Sequence, residues 1–171
     1  MPQKIKELSL PGGISRWLFR LPIHLYHMHF GGLLGDRFVL LTHIGRKSGM
    51  PRQTVLEIVR YLPADHSCIV ASGWGEKSAW FQNISLNPKI TYQIRNQARS
   101  GVAERLNPAA ASAELVDYGQ RHPAALRELA KFMGYAFDGT EADIAALGQV
   151  IPMFHFKPIQ ADPQAGPTQA T

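Results

Sequence analysis

The fold of this chain is decided by residues 38–59, whose sequence is FVLLTHIGRKSGMPRQTVLEIV. Two runs, 38–41 and 54–59, are rich in the β-branched and large apolar residues that favour strands. Between them, residues 42–52 contain two glycines and a proline, which are typical of turns. The stretch therefore predicts a β-hairpin.

The loop of this hairpin combines a flexible backbone with positive charge. Its chemistry comes from two glycines, three cations and a hydroxyl: Gly45, Gly49, Arg46, Lys47, Arg52 and Ser48. Glycine frees the backbone to present N–H groups, and cations with a hydroxyl suit phosphate or carboxylate oxygens. These residues favour an anion-binding loop, although a solvated charged turn has the same composition. A nucleotide P-loop is excluded, because Arg46 stands where that motif requires glycine.

Composition and charge limit the class of protein to which this chain can belong. The 171 residues fit a single domain, which we place at 1–158, followed by a disordered tail at 159–171. The net charge of +5 favours anionic partners. The lone Cys68 cannot form an internal disulfide, and neither a signal peptide nor a membrane span is evident. We therefore expect a cytoplasmic protein.

The N-terminal region is basic and amphipathic. Its apolar residues recur at helical spacing, at Ile14, Trp17, Leu18, Leu21, Leu25 and Met28. Such a helix most simply packs over a sheet, and the alternative is peripheral contact with an anionic membrane surface. Four histidines fall in or near this region, at His24, His27, His29 and His43. Without a cysteine or a Glu-containing spacing signature beside them, they predict no metal site.

The rest of the chain places strands first and helices late. Further strands are predicted at 68–72, 90–94, 100–106 and 150–156, with Pro152 confining the last to an edge or a bulge. Helices are predicted to follow Ser78 as N-cap, Asn107 as N-cap, Pro123 as first residue, and a capping box formed by Thr140 and Asp143. Short turns between the early strands favour an α+β domain built on an antiparallel sheet or barrel.

A second glycine-bearing loop, residues 73–77, follows the third predicted strand. If it lies beside the first loop, Ser72 and Lys77 face the three cations across a cleft. Trp74 and Trp80 would then give the cleft flat apolar walls. A ligand with a planar ring and an anionic tail would fit both halves of such a cleft.

These segments carry a family resemblance. Residues 38–52 resemble the signature of the deazaflavin-dependent nitroreductase family, and the similarity continues through 69–72, 80–84 and 87–88. The resemblance implies a mostly antiparallel split β-barrel, with an N-terminal helix and C-terminal helices packed on the barrel. It also implies coenzyme F420 as the cofactor, with FMN as the alternative.

The resemblance assigns expected roles to individual residues. The coenzyme's phosphate and acidic tail would be held by Arg46, Lys47, Ser48 and Arg52. The deazaflavin ring would be lined by Val70, Ala71 and Ser72, in a pocket shaped by Trp74, Trp80 and Asn83. This chain has Gly73 where many relatives have lysine, and Lys77 is expected to supply that charge. Tyr118 and Tyr135 are candidates for the acceptor pocket by location alone, and no catalytic residue is assigned.

The leading hypothesis is an F420-dependent oxidoreductase. It would pass a hydride from the reduced coenzyme to a small electron-poor acceptor such as an enone, a quinone or a nitro compound. The alternative is a non-catalytic barrel that binds lipid, haem or FMN. Nucleic acid is not expected as a partner, because the aromatic residues do not alternate with the basic ones as a stacking platform requires. The chain is expected to act as a monomer or a homodimer.

Overall fold

The structure is a computed structural model that describes residues 3–4, 23, 26, 28, 31–136 and 138–159. The N-terminal helix predicted over residues 14–28 and the tail predicted from residue 159 fall almost entirely outside these residues. Among the residues that are described, no helix has both the length and the apolar character needed to cross a bilayer.

The described chain contains a closed antiparallel barrel and a small separate sheet. The strands are β1 (Gln3–Lys4), β2 (Phe38–Ile44), β3 (Pro51–Leu62), β4 (Ser67–Ala71), β5 (Lys89–Ile94), β6 (Gln97–Arg105), β7 (Tyr135–Ala136) and β8 (Met153–Pro158). The barrel closes in the order β2-β3-β4-β8-β6-β5, with every neighbouring pair antiparallel. β1 pairs with β7. The predicted hairpin and the antiparallel barrel are confirmed.

Helices connect and cover the barrel. They are α1 (Gly31–Leu34), a 3₁₀ turn (Gly75–Lys77), α2 (Ala79–Leu86), α3 (Pro108–Arg121), α4 (Pro123–Phe132) and α5 (Glu141–Val150). The predicted start of α3 is confirmed, because the Asn107 side chain accepts a hydrogen bond from the Ala110 amide at 2.8 Å.

Two apolar clusters hold these layers together. One fills the barrel and includes Val39, Leu41, Val70, Tyr92 and Phe156. It follows the alternation along β5, where every second side chain turns inward. The other lies between the barrel and helices α3 to α5, and includes Ile69, Leu115, Leu126, Leu147 and Met153. Burial on both faces explains why the strands at β2 and β4 read as continuous apolar runs.

Helices α3 and α5 cross at close range where Gly148 lies on α5. A Cβ atom on Gly148 would stand 2.5 Å from the Ser112 Cα and 3.0 Å from the Ser112 nitrogen. The close approach also lets the Ser112 hydroxyl donate to the Ala145 carbonyl at 2.7 Å. The absence of a side chain at Gly148 therefore sets the separation of these two helices.

The prediction for the last strand was wrong in its start and its position. The strand was expected at 150–156, at an edge or a bulge, but α5 continues to Val150 and β8 begins at Met153. β8 lies between β4 and β6, in the interior of the closed sheet. Pro152 is tolerated because it precedes the ladder, where its missing N–H is not needed. Its carbonyl accepts a hydrogen bond from the Ser72 amide at 2.9 Å.

Two of the predicted helix caps differ from expectation in their side chains. Ser78 does occupy the N-cap position of α2, but its hydroxyl makes no capping bond. At α5 the Thr140 hydroxyl accepts from the Asp143 amide as predicted. The Asp143 carboxylate, however, accepts from the Asp138 amide instead of completing the box at Thr140.

Candidate active site

The first loop, residues 45–50, joins β2 to β3 and is folded on itself. The Gly45 amide donates to the Met50 carbonyl at 2.9 Å, and the Gly49 amide donates to the Gly45 carbonyl at 2.8 Å. Gly49 has φ +66°, a conformation that favours glycine. A Cβ on Gly45 would stand 2.9 Å from the Ser48 Oγ. Both glycines are therefore required by the compact shape of the loop.

The side chains predicted to hold the anionic tail all face solvent around this loop. Arg46, Lys47, Ser48 and Arg52 are exposed, whereas the glycine that starts the loop is buried. The amide groups of Lys47 and Ser48 make no hydrogen bond to any part of the chain that the structure describes. Three guanidinium or ammonium groups, a hydroxyl and two amides are thus available to phosphate or carboxylate oxygens. This donor set fits a polyanionic tail.

Arg46 is held in place by a buried amide on α2. The Asn83 Oδ1 accepts from the Arg46 amide at 3.0 Å and from its Nη1 at 3.2 Å. On its other side the Asn83 Nδ2 lies 3.1 Å from the His43 Nδ1. Because Oδ1 serves Arg46, Nδ2 must donate to His43, whose Nδ1 is then the unprotonated ring nitrogen. Asn83 therefore bridges the loop to β2 from a buried position.

The His43 imidazole is kept neutral by its surroundings. Burial lowers its pKa from the ordinary value of 6.5, a backbone hydrogen bond at Ile44 opposes this, and the Arg52 charge lowers the pKa further. The His43 side chain is 4% exposed and hydrogen-bonded to Asn83. Its role in the structure is to orient the amide that holds Arg46.

Helix α2 connects the first loop to the second. Gln82 donates through Nε2 to the Glu76 carbonyl at 3.0 Å, while the adjacent Asn83 contacts Arg46. The second loop and the cation-bearing loop therefore lie at the same end of the barrel, on the two sides of one short helix. This is the juxtaposition on which the predicted two-loop cleft depended.

The second loop is held together by hydroxyl groups. The Ser72 Oγ donates to the Gly75 carbonyl at 2.7 Å and lies 2.8 Å from the Ser78 Oγ. The Ser78 hydroxyl also donates to the Gly75 carbonyl, which explains why it does not cap α2. Ser72 is 1% exposed. It shapes the loop from inside, so its hydroxyl is already engaged.

A cavity of about 260 Å³ opens beside this loop. One wall consists of residues 72–77, including the half-buried Trp74 and the exposed Lys77. The opposite wall comes from Met133 and Tyr135, after α4, and from residues 150–152, after α5. Apolar surface and one phenol thus face the second loop across a space that suits a small planar molecule.

Three of the side chains predicted to line the ring or to shape its pocket are placed elsewhere. Val70 is fully buried in the barrel interior. Trp80 is 8% exposed and packs edge-on against Phe81 and Phe154, with ring centroids 6.2 and 6.1 Å away. The interpretation of Trp80 as a cleft wall was therefore wrong, because its indole belongs to the core. Ala71, which is half-buried, packs toward the helical cluster instead.

The two candidate tyrosines are separated by the structure. Tyr135 lines the cavity beside the second loop. Tyr118 lies in a different cavity, next to Arg121 and His122, where its hydroxyl donates to the Glu57 carboxylate at 3.3 Å. Burial, followed by the Glu57 charge, raises the pKa of Tyr118. Of the two, Tyr135 is the one beside the second loop.

The structure also shows where the histidine and cysteine side chains of the described residues lie. Among the described residues, no group of three or more His, Cys, Asp or Glu side chains could hold a metal ion. His24, His27 and His29 lie outside those residues. Cys68 is buried in the barrel, and burial raises the pKa of its thiol to about 12.

Comparison with known proteins finds one family and several solved structures to which this chain is similar. The family described as F420H(2)-dependent quinone reductase matches residues 19–131. A solved F420-H2 dependent reductase (FDR-A) is similar at 19% identity and a TM-score of 0.50, over 72% of this chain and 96% of that one. The conserved hypothetical protein Rv2991 from Mycobacterium tuberculosis is similar at 15% identity and a TM-score of 0.50, over 77% and 79%. These structures share the fold, and the family match spans more than half of the chain.

Proposed function

Because this chain belongs to the F420H2-dependent quinone reductase family, we propose that it reduces a small planar electron-poor acceptor, with a quinone as the first choice over an enone or a nitro compound. It is an oxidoreductase that uses coenzyme F420. The observation that supports the choice of site is the α2 bridge, in which Asn83 contacts the first loop and Gln82 contacts the second loop at the same end of the barrel.

The chain's own residues bind and orient the cofactor. The acidic tail is held by the side chains of Arg46, Lys47, Ser48 and Arg52, where charge-assisted hydrogen bonds are strongest. Residues 72–77 would hold the ring, with Trp74 as the apolar surface and Lys77 as a cation on the same loop. When bound, the reduced deazaflavin supplies the hydride. The chain is proposed to act as a monomer or a homodimer.

The acceptor occupies the cavity next to Met133 and Tyr135. Reduction of a quinone to a hydroquinone takes one hydride and one proton. The Tyr135 phenol lines this cavity, and it holds a proton that can be donated to the acceptor oxygen. The apolar side chains around it keep bulk water from the reacting atoms.

The direct test is titration of the purified chain with F420 and with FMN, followed by tryptophan fluorescence. We expect saturable quenching by F420 that a Trp74→Phe variant reduces. The reduced coenzyme should then be oxidised in the presence of a small quinone. If neither cofactor binds saturably, the proposal fails. If FMN alone binds, the assignment of the first loop to the F420 tail fails.

Removing one cation from the first loop should weaken F420 binding with little effect on folding. For Arg52→Gln we expect a loss of about 10- to 100-fold in affinity, because a charge-assisted hydrogen bond contributes roughly 1.5–3 kcal/mol. Arg127→Gln is the matched control, since it removes the same charge from an exposed position on α4. Equal losses in the two variants would mean that general charge, and not the loop, governs binding.

Tyr135→Phe should lower kcat for quinone reduction by about 10- to 100-fold, toward the low end of what a positioned proton donor contributes. The F420 affinity should remain unchanged. Tyr118→Phe removes the same hydroxyl from the other cavity and should leave kcat as it is. A Tyr135→Phe enzyme with normal turnover would show that solvent supplies the proton.

A further inference from the structure

A further cavity, distinct from those beside the second loop and beside Tyr118, lies at the other end of the barrel. There, residues 63–66 connect β3 to β4, and Arg95 and Asn96 connect β5 to β6. Val39, at the start of β2, pairs with Ile94. The first loop lies beyond the opposite end of β2. This cavity, of about 110 Å³, is therefore separate from the cofactor site.

Arg99 gives this cavity its chemistry. It pairs across the strands with Tyr92, whose side chain is buried inside the barrel, so Arg99 lies on the inward face of β6. Its Nε is buried and has no hydrogen-bond partner among the described residues. Its Nη2 reaches only the Gln97 Oε1, at 3.5 Å. A buried N–H without an acceptor is costly, and a native structure normally supplies one.

The neighbouring groups do not neutralise Arg99. The Tyr92 hydroxyl donates to the His66 carbonyl at 3.0 Å, and the Tyr61 hydroxyl lies 3.0 Å from the His66 Nδ1. In the adjoining turn, the Asp65 carboxylate accepts from the Ser67 amide.

The remaining cation at this cavity already has a counter-ion. Arg95 pairs with Asp36 at 3.3 Å on the surface. No ion pair that joins Arg99 to a carboxylate is found in the part of the chain that the structure describes. The cavity thus presents a guanidinium without a paired carboxylate among the described residues, and a buried donor without an acceptor.

We propose that this cavity binds a small tetrahedral oxyanion, of the size of inorganic phosphate or sulfate, through the Arg99 guanidinium. The cavity volume of about 110 Å³ leaves room for an ion of this size. The Gln97 amide nitrogen and the exposed Arg95 supply further donors. A bound anion would connect the β5–β6 turn to the β3–β4 turn.

The experiment is a thermal-unfolding titration at constant ionic strength, in which sodium phosphate replaces sodium chloride. It uses the full chain carrying Lys47→Gln and Arg52→Gln, which weaken the first loop as a competing anion site. We expect Tm to rise by about 3–6 °C at a phosphate concentration tenfold above Kd. Adding Arg99→Gln should abolish the rise. A rise that persists with Arg99→Gln would overturn the proposal.

Two further measurements keep the proposal open to refutation if Arg99→Gln fails to fold. Sulfate should reproduce the rise and acetate should not. An equal rise with acetate would overturn the assignment to a tetrahedral oxyanion. Phosphorus-31 line broadening should appear when the Lys47→Gln, Arg52→Gln protein is added to millimolar phosphate. Unbroadened phosphate would mean that the cavity holds water only, which also overturns the proposal.

Discussion

Replacing Asn83 with leucine should lower the free energy of unfolding by about 2–3 kcal/mol, because it leaves the buried His43 Nδ1 without a donor. It should also weaken F420 binding by more than the loss of one loop cation. The reason is that Asn83 holds both the backbone and the side chain of Arg46. Without it the first loop must be ordered at the moment of binding, which costs affinity.

Urea denaturation and F420 titration measure the two effects. Asn83→Asp is the informative partner, since a carboxylate can still accept both bonds from Arg46 but cannot donate to His43. We therefore expect Asn83→Asp to retain more F420 affinity than Asn83→Leu. Equal affinities for the two variants would show that the bonds to Arg46 do not matter for the cofactor.

The native protein and Asn83→Asp should show opposite pH dependences of stability. In the native protein the pKa of His43 lies below 6.5, so the unfolded chain binds more protons, and the stability that His43 contributes is present above pH 6.5 and is lost as pH falls through the lower pKa of the folded protein. In Asn83→Asp the new carboxylate should raise the pKa of His43 above 6.5. Its contribution should then be present at low pH and lost as pH rises through the new value.

His155 does not confound this comparison. Burial lowers its pKa as well, so it adds the same acid sensitivity to both proteins. The difference between the two stability curves between pH 5 and 8 therefore reports on His43. Parallel stability curves would mean that the pKa of His43 does not depend on the side chain at residue 83.

Replacing Gly148 with valine should destabilise the protein by about 3 kcal/mol or more, the upper range for overpacking. Even a Cβ would stand 2.5 Å from a backbone atom of α3. Backbone in a helix cannot give way unless the whole helix moves. Since Leu115 and Leu147 pack in the cluster between these helices and the barrel, separating α3 from α5 would also open that cluster. Thermal unfolding measures the loss.

Two other glycines serve as controls for this prediction. Gly32, on α1, is exposed. A Cβ added there would have an Asn96 side-chain atom as its nearest neighbour, at 3.5 Å. Gly32→Ala should be neutral or slightly stabilising, because alanine favours helix. Gly119→Ala should cost less than Gly148→Ala, because its closest neighbour is the end of the Leu126 side chain. A Gly148→Val protein as stable as the native chain would mean that the helices are not held at this distance.

Local sequence predicted the elements whose signals are local. The first hairpin, the alternation along β5 and the Asn107 cap depend on residues close together in the chain, and all three were predicted correctly. The place of β8 was not, because it is decided by the closing of the barrel between β4 and β6. Pro152 indicated an edge strand. A proline disturbs the hydrogen-bond ladder only when it lies within the strand, so its effect depends on the residue at which the strand begins.

In the candidate site, too, some features could be predicted from local sequence and others depend on packing. The exposed cations of the first loop could be read from composition, since charge and glycine occur together there. The burial of His43 and Trp80 could not, because it depends on α2 packing against β2 and β8. Likewise, nothing in the sequence around Tyr118 and Tyr135 distinguishes them. Only the packing of α3 and α4 places one beside the second loop and the other beside Glu57.

The place of β8 in the barrel has a consequence for how the molecule acquires its activity. The sheet stays open until residues 153–158 have been synthesised and docked, and His155 contacts Ser67 across 88 positions of chain. Closing such a long loop is entropically costly and makes folding slow. The second loop depends on the same event, since the Ser72 amide is held by the Pro152 carbonyl. We therefore expect the cofactor to bind only the completed barrel and to be unable to assist a nascent chain on the ribosome.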